Sequence, residues 1–385
     1  MKIAYFVHDL HDPTVARRLK MFRAADASVA LFGFSRARRR TETVEGLAPT
    51  DLGVTHDARL LSRIGAVIVA CLRAPAWRRR LGDADVIVAR QLETLLVAFV
   101  ARMFAGASPP IAFECVDIHR TMLRDDAIGG ALRAIEGWLL RRSALLVVSS
   151  PGFVEHYFAV RHRRLPPVHL LENKLLFCEA AEIDASRCAA GRVAGPASAP
   201  WTIGWYGVIR CARSLTALAD LARRYPGAVE VIIAGRVAEN LRARFEAVVS
   251  GTPGLTFLGP YDRARDLGRL YDGAHFTWAI DFYEQGGNSD WLLPNRLYEG
   301  GYCRSVPIAL AGSETGAWLS RRGVGLLIDD PIETSLPARL GAVDQPGYLR
   351  ERDRMRALPD ALFVLSRRDC LDLGDRLAAL NPAGG

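Results

Sequence analysis

A chain of 385 residues, half of them hydrophobic and 24% charged, is too long for one ordinary core and fits two domains of ordinary globular composition. The formal charge of +8 resides in the first half: residues 1–172 hold 25 Lys+Arg against 17 Asp+Glu, and residues 173–385 hold 25 against 25. Seven scattered Cys (71, 115, 178, 188, 211, 303, 370) without a CxxC pair argue against a disulfide framework and a zinc site and for a reducing cytosol, and no run reaches membrane-spanning length.

KIAYFV (2–7) predicts a first parallel strand, apolar throughout because both faces are covered. It lacks the apolar length of a signal peptide. Pro13 opens a helix to about Ala25, and SVALFGF forms the second strand. Such alternation is the signature of an open α/β sheet. Residues 36–58 read as polar and irregular. Residues 59–81, RLLSRIGAVIVACLRAPAWRRRL, admit two readings. One is an amphipathic helix packed on the sheet. The other is a helix in the membrane interface, with Trp77 at headgroup depth and Arg78, Arg79 and Arg80 on anionic lipid. The charge excess in this half suits an anionic partner.

ADVIVAR (84–90) is the next strand, followed by a helix through Met103. IAFECVD (111–117) is a buried strand whose C-terminal end carries Asp117 and His119. A helix at about 128–142, the strand SALLVVSS and a helix from Pro151 complete a first domain, 1–177. Residues 178–200, rich in Ala, Gly and Pro without periodicity, read as a linker. The second domain, 201–345, repeats the alternation through WTIGWYG (201–207), VEVIIAG (229–235), LTFLG (255–259), HFTWAID (275–281) and VGLLIDD (324–330). Helices at about 346–356 and 359–380 follow.

The most informative stretch is NSDWLLPNRLYEGGYCRSVPIA (288–309), read as a loop, a helix opened by Pro294 and a short buried strand. Asn295, Arg296, Leu297 and Glu299 fall on the first two turns, with Asn295 and Glu299 on one face. A helix N-terminus carrying an Arg suits a phosphate, and a carboxylate three residues beyond that Arg suits the two hydroxyls of a ribose. The plainer alternative pairs Arg296 with Glu299 on an exposed face. Ligands of open α/β sheets sit beyond the carboxyl ends of the strands. In the second domain that rule selects Gly207, Arg210, Arg213, Gly235 and Arg236, with Glu284 in the loop before the clamp as a contact to sugar hydroxyls. In the first domain it selects His8, Asp9, Asp117 and His119. Neither GxGxxG nor GxxxxGK[ST] occurs, which sets the chain apart from Rossmann dehydrogenases and P-loop proteins.

The order P-x-R/K-L-x-E-G, small apolar strand, Gly-rich turn resembles the donor-sugar site of GT-B glycosyltransferases. Together with YFVHDLHDPTVARRLKMFRA at the start, it is similar to bacterial exopolysaccharide transferases of the succinoglycan-biosynthesis type and, more distantly, to xanthan glucuronosyltransferase. Trp291 departs from the pattern, because many GT-B enzymes carry a second Glu there. The resemblance implies two Rossmann-like domains with parallel sheets facing across a cleft, and last helices that cross back to the first domain. It also implies a UDP-linked glucose or glucuronate donor, a lipid-pyrophosphate-linked saccharide acceptor, and a cytoplasmic enzyme peripheral on the inner face of the cell membrane. Nucleic acid is not an expected partner.

Such a transfer needs a base for the acceptor hydroxyl and stabilisation of the departing diphosphate. Asp117 is the candidate base, with His119 orienting it or contacting the donor. Asp9 is the second candidate and His8 lines the acceptor cleft. Helix capping is the competing reading of Asp117, and helix-start chemistry beside Asp12-Pro13 that of Asp9. No DxD-type pair is placed for a metal, so a metal-free and cofactor-free reaction is expected, and a single Asp base, which fits direct displacement, points to inversion. A sugar-nucleotide epimerase of the same fold, or a non-catalytic nucleotide-binding subunit, would keep the clamp without the transfer.

Overall fold

A computed structural model describes residues 1–36, 42–55, 60–106, 108–189 and 198–381. The chain forms two compact units, one of Met1–Glu172 with Ser366–Gly385 and one of Asn173–Leu365.

In the first unit, alternating apolar strands and amphipathic helices build a parallel sheet. Its elements are β1 (Lys2–Val7), α1 (Pro13–Ala24), β2 (Ser28–Ser35), β3 (Thr50–Val54), α2 (Leu60–Arg73), α3 (Arg78–Gly82), β4 (Val86–Arg90), α4 (Leu92–Met103), β5 (Ile111–Cys115), α5 (Ala127–Leu140) and β6 (Leu145–Val148). Two short turns, α6 (Pro151–Phe153) and α7 (Ala159–Arg161), flank a π-helical turn at Val154–Phe158 and lead to β7 (Val168–Leu170). The strand order is β3-β2-β1-β4-β5-β6-β7, so the direction of winding reverses between β1 and β4. That reversal opens a crevice at the strands' carboxyl ends. Every residue of β4 and β5 is buried, as covered parallel strands require.

Two expectations are corrected here. The segment read as irregular contains β3, which pairs with β2 at the sheet edge. Its Asp51 and its Gly53, at φ 121°, mask the strand pattern. Trp77 does not face outward: it is buried, its ring 5.9 Å from that of Phe32. The reason is local. Pro75 lies in a tight 3-10 turn, Ala74–Trp77, that ends α2 and redirects the chain, turning Trp77 into the core and leaving Arg78, Arg79 and Arg80 exposed.

The second unit begins with β8 (Leu175–Leu176) and α8 (Phe177–Ala189) and continues through β9 (Trp201–Ile209), α9 (Ala212–Arg224), β10 (Val229–Val237), α10 (Arg242–Ser250), β11 (Leu255–Phe257), α11 (Arg263–Asp272) and β12 (Phe276–Trp278). It ends with α12 (Asn288–Trp291), α13 (Asn295–Tyr302), β13 (Val306–Leu310), α14 (Glu314–Ser320), β14 (Leu326–Ile328), α15 (Ile332–Gly341), α16 (Gln345–Ala357) and β15 (Val364–Leu365). The main sheet has the order β11-β10-β9-β12-β13-β14, and β8 pairs with β15. Trp205, Trp278 and Trp318 anchor its core.

The segment read as a linker is α8 over most of its described length. Ala is the best helix former, and Ala180 and Ile183 are buried on one face. The C-terminal helices divide between the units. α16 belongs to the second, whereas α17 (Arg367–Ala378) packs on α1 of the first. Ser366 and Asp369 close a capping box at its start. Among the described residues, no helix is long and apolar enough to cross a membrane.

Candidate functional site

In the second unit, β9 and β12 are the neighbours at which the winding reverses, and several of the expected residues gather beyond their carboxyl ends. Gly207 has φ 115°, and a Cβ there would meet nothing within 4 Å, so its face is open. Gly235 is its register partner and serves another purpose, because a Cβ there would lie 1.8 Å from the Gly207 carbonyl oxygen. Its close approach is to backbone, not to a ligand. Arg236 is exposed beside it.

Arg210 follows β9 and donates to Asp281 at 3.3 Å, with its guanidinium 4.5 Å over the Tyr283 ring. Arg213, in the first turn of α9, donates to Asp330 at 2.5 Å, to Glu333 at 3.3 Å and to Gln285 at 2.7 Å. Asp290 accepts from the Gly286 N–H at 2.8 Å; burial, then Asp330 and Asp281, raise its pKa. Glu284 takes part through its backbone, exchanging hydrogen bonds with Ser289.

In α13, Pro294 is the residue before the helix, with Asn295 as its first residue. Asn295 and Arg296 are half-buried, and Arg296 donates to the Ile280 carbonyl at 3.3 Å. Leu297 is a core residue with no exposure. Glu299 does not pair with Arg296. It is buried, and its two oxygens accept from Arg263 and from the Tyr271 hydroxyl, the latter at 3.2 Å. Arg263 also lies 3.8 Å from Glu179, and its Nη2 is buried without a hydrogen-bond partner among the described residues. Burial opposes the charge of Arg263, but Glu299 and then Glu179 raise its pKa. Arg263 is missing from the sequence expectation, although it follows the strand LTFLG by only four residues; the strand-end rule applied there reaches it.

In the first unit, the reversal point between β1 and β4 collects a second polar group. His8, directly after β1, has Nε2 3.8 Å from an Asp12 oxygen, while its Nδ1 is buried and has no hydrogen-bond partner among the described residues. Burial lowers its pKa against the opposing pull of Asp12 and Glu93. Asp12 caps α1 through Thr14 at 2.8 Å and lies 3.8 Å from Arg90. Burial would raise its pKa, but Arg90 and His8 hold it down.

Arg90 is fully buried and joins Glu114, which also accepts from Arg18 and Tyr5. Against burial, Arg18 and Arg90 bring Glu114 down to about 2. Asp9 accepts from the His11 N–H at 3.0 Å and lies 3.6 Å from Arg36. After β4, Gln91 adopts φ 74°, a left-handed conformation that costs a non-glycine residue energy and tends to occur at functional sites. Glu93 then pairs with Arg63, whose other amino group lies 3.3 Å from His119 Nε2.

His119 Nδ1 caps the following 3-10 turn, accepting from the Thr121 N–H at 3.2 Å. Burial and then Arg63 lower its pKa. Asp117 is exposed. The structure therefore pairs His8 with Asp12 and joins Glu93, Arg63 and His119, with the Glu93 charge acting on His8; of these five residues the sequence expectation held two. Among the described residues, no group of three or more His, Cys, Asp or Glu is arranged to hold a metal ion.

The outer face of the same unit is apolar and basic. Ile64, Ile68, Val69 and Leu72 of α2 are exposed, Leu72 by 75%. On α5, Ile128, Ile135 and Trp138 are exposed, and Arg142 lies 4.1 Å over the Trp138 ring. The two helices flank α4, whose Phe99 ring is 6.0 Å from that of Trp138.

The chain is 42% identical over 386 aligned positions to the succinoglycan biosynthesis protein ExoL of Rhizobium meliloti (strain 1021), covering 99% of this chain and 94% of that protein. No protein-family model matches. Sucrose-phosphate synthase from Thermosynechococcus elongatus superposes with a TM-score of 0.73 at 14% identity, over 99% of both chains. Anabaena HepE, in a complex with UDP and glucose, superposes with a TM-score of 0.70 at 13% identity, over 98% of this chain and 100% of that one.

Proposed function

The chain belongs to the succinoglycan-biosynthesis type of GT-B exopolysaccharide glycosyltransferase that ExoL represents, and from that premise we propose that it moves a glucosyl or glucuronosyl group from a UDP-sugar to a lipid-linked saccharide, with inversion and without a metal. The observation that carries this reading is the gathering of Arg210, Arg213 and the α13 helix with its Glu299 at the carboxyl ends of the second unit's strands. HepE, of the same fold, is known in complex with UDP-glucose, which favours a uridine nucleotide.

In this mechanism Glu299 accepts the ribose hydroxyls, exchanging them for its present donors. The diphosphate takes the guanidiniums of Arg210 and Arg213 from their carboxylates, and Arg296 and the N–H groups of α13 add to its binding. As the sugar departs, these groups stabilise the negative charge that develops on UDP. A hydroxyl of the acceptor loses its proton to a base and attacks the anomeric carbon.

The acceptor's lipid and the exposed face of α2 and α5 belong together in this reading. Apolar side chains at helical spacing, with Arg73, Arg78 to Arg80 and Arg141 exposed nearby, suit the interface of an anionic bilayer and support a peripheral position on the inner face of the cell membrane. Trp138 rather than Trp77 supplies the interfacial ring. Calorimetric titration with UDP, ADP and GDP tests the core of the proposal. UDP binding that is lost in Glu299→Ala supports it, and absence of UDP binding by the wild type overturns it.

A further inference from the structure

At the carboxyl end of the second unit's sheet, acid residues outnumber the cations that hold them. Arg210 donates to Asp281 at 3.3 Å, and Arg213 donates to Asp330 at 2.5 Å and to Glu333 at 3.3 Å. Gln285 joins the group, accepting from Arg213 at 2.7 Å and donating to Asp330 at 3.1 Å. The rings of Tyr283 and Phe282 keep both guanidiniums in place, at 4.5 and 4.3 Å. Asp290, on α12, is the carboxylate left over. It accepts from the Gly286 N–H at 2.8 Å, it is half-buried, and among the described residues no Arg or Lys pairs with it. The charges of Asp330 and Asp281 act on it.

We propose that the donor nucleotide binds together with one proton, which Asp290 takes up. The inference rests on the donor-site reading above, in which the diphosphate draws Arg210 and Arg213 away from their carboxylates. That exchange removes compensating positive charge from the cluster and brings further negative charge to it. Like charges held close together drive one carboxyl of the group to keep a proton. Asp281 retains the Tyr283 N–H at 2.8 Å, and Asp330 retains Gln285 and the Ile332 N–H at 3.2 Å. Asp290 begins without a cation, so it is the first to be neutralised. The proton comes from solvent, and no covalent bond of the nucleotide changes.

The surroundings already lean this way. Burial raises the Asp290 pKa, the Gly286 N–H lowers it, and the charges of Asp330 and Asp281 raise it again. Arg213, by contrast, holds the Asp330 carboxyl below its ordinary range. The other charged side chains of the neighbouring elements are engaged elsewhere. Arg296 on α13 donates to the Ile280 carbonyl, and Glu314 and Arg321 on α14 pair at 2.9 Å. Since the Asp290 pKa is higher in the complex than in the free site, affinity is greatest below the free-site value. It is lost as pH rises through the value in the complex.

UDP-glucose is the probe, because its diphosphate lacks the terminal phosphate of UDP, which itself titrates near neutral pH. Calorimetric titration of the full chain in MES and in imidazole, whose heats of protonation differ, should show proton uptake on binding at about pH 6. Between about pH 5 and about pH 7 the Kd should rise by about threefold or more. Asp290→Asn imitates the protonated acid. It should take up no proton, and should bind at about pH 7 as tightly as the wild type does at about pH 5. A merely structural role for Asp290 would instead loosen binding at both. Wild-type binding without proton uptake overturns the inference, and so does uptake that persists in Asp290→Asn. Absence of UDP-glucose binding at either pH overturns the donor-site reading, and this inference falls with it.

Discussion

Glu299 and Arg263 are bound to each other across 36 positions of sequence, and Tyr271 takes the carboxylate's second oxygen. Both oxygens proposed to receive the ribose hydroxyls are therefore already satisfied, so nucleotide binding is an exchange of partners. In Arg263→Ala the buried carboxylate keeps only a neutral donor, and breaking such a pair costs roughly 3 kcal/mol. Thermal unfolding should show that loss, and saturating UDP should recover more stability in this variant than in the wild type. A variant that UDP stabilises no more than the wild type would speak against the exchange.

Arg213 is held by Asp330, Glu333 and Gln285. If the diphosphate takes this guanidinium over, Arg213→Ala should weaken UDP by about tenfold or more, the value of one charge-assisted contact. Uridine, which has no phosphate, should bind both proteins alike. Titration of the two ligands against both proteins makes the comparison, and an equal loss for uridine would place Arg213 elsewhere.

Exposed Leu72 and buried Trp77 predict opposite phenotypes five residues apart. Ile68→Asp with Leu72→Asp should release the protein from vesicles containing anionic lipid while leaving its unfolding midpoint nearly unchanged. Trp77→Ala should cost about 3–5 kcal/mol of stability, as for other large core deletions, and affect vesicle binding only through unfolding. Co-sedimentation and urea titration separate the two.

Glu114 is ionised within a buried net of Arg18, Arg90 and Tyr5. Its carboxyl titrates at about 2 in the folded chain against an ordinary 4.5. The resulting stabilisation, roughly 3 kcal/mol, is complete above the ordinary value and disappears as pH falls through the folded one. Urea midpoints should therefore decline on acidification below about pH 4.5, and Glu114→Gln should flatten part of that decline while lowering stability at neutral pH.

The strands were legible because covered parallel strands are apolar at every position, as in KIAYFV and ADVIVAR. β3 was not, because an edge strand with Asp51 and Gly53 carries no such run. α8 was lost to a reading of Ala as linker composition, although its buried positions are spaced for a helix face. Glu299 was legible from the order of residues around it. Its partner was not, since nothing local ties position 263 to position 299. The same holds for Glu93 and Arg63, which meet only because α2 packs on α4. For Trp77 composition leaves both readings open, and the buried one holds, with the ring turned into the core after the Pro75 turn.

α17 joins the first unit only after the chain has run through the whole of the second. Gly374 allows it to lie close against Ala25, since a Cβ there would come within 2.9 Å of the Ala25 Cβ, and Asn381 reaches the Asp85 carbonyl at 3.3 Å. On the ribosome, the apolar side of α1 therefore waits uncovered until the whole second unit has been made, and the second unit has all its strands available first. The earliest-synthesised half of the molecule is the last to be completed. A chain stopped at Leu365 would carry a finished second unit beside a first unit still open along α1, and would be expected to engage chaperones through that face.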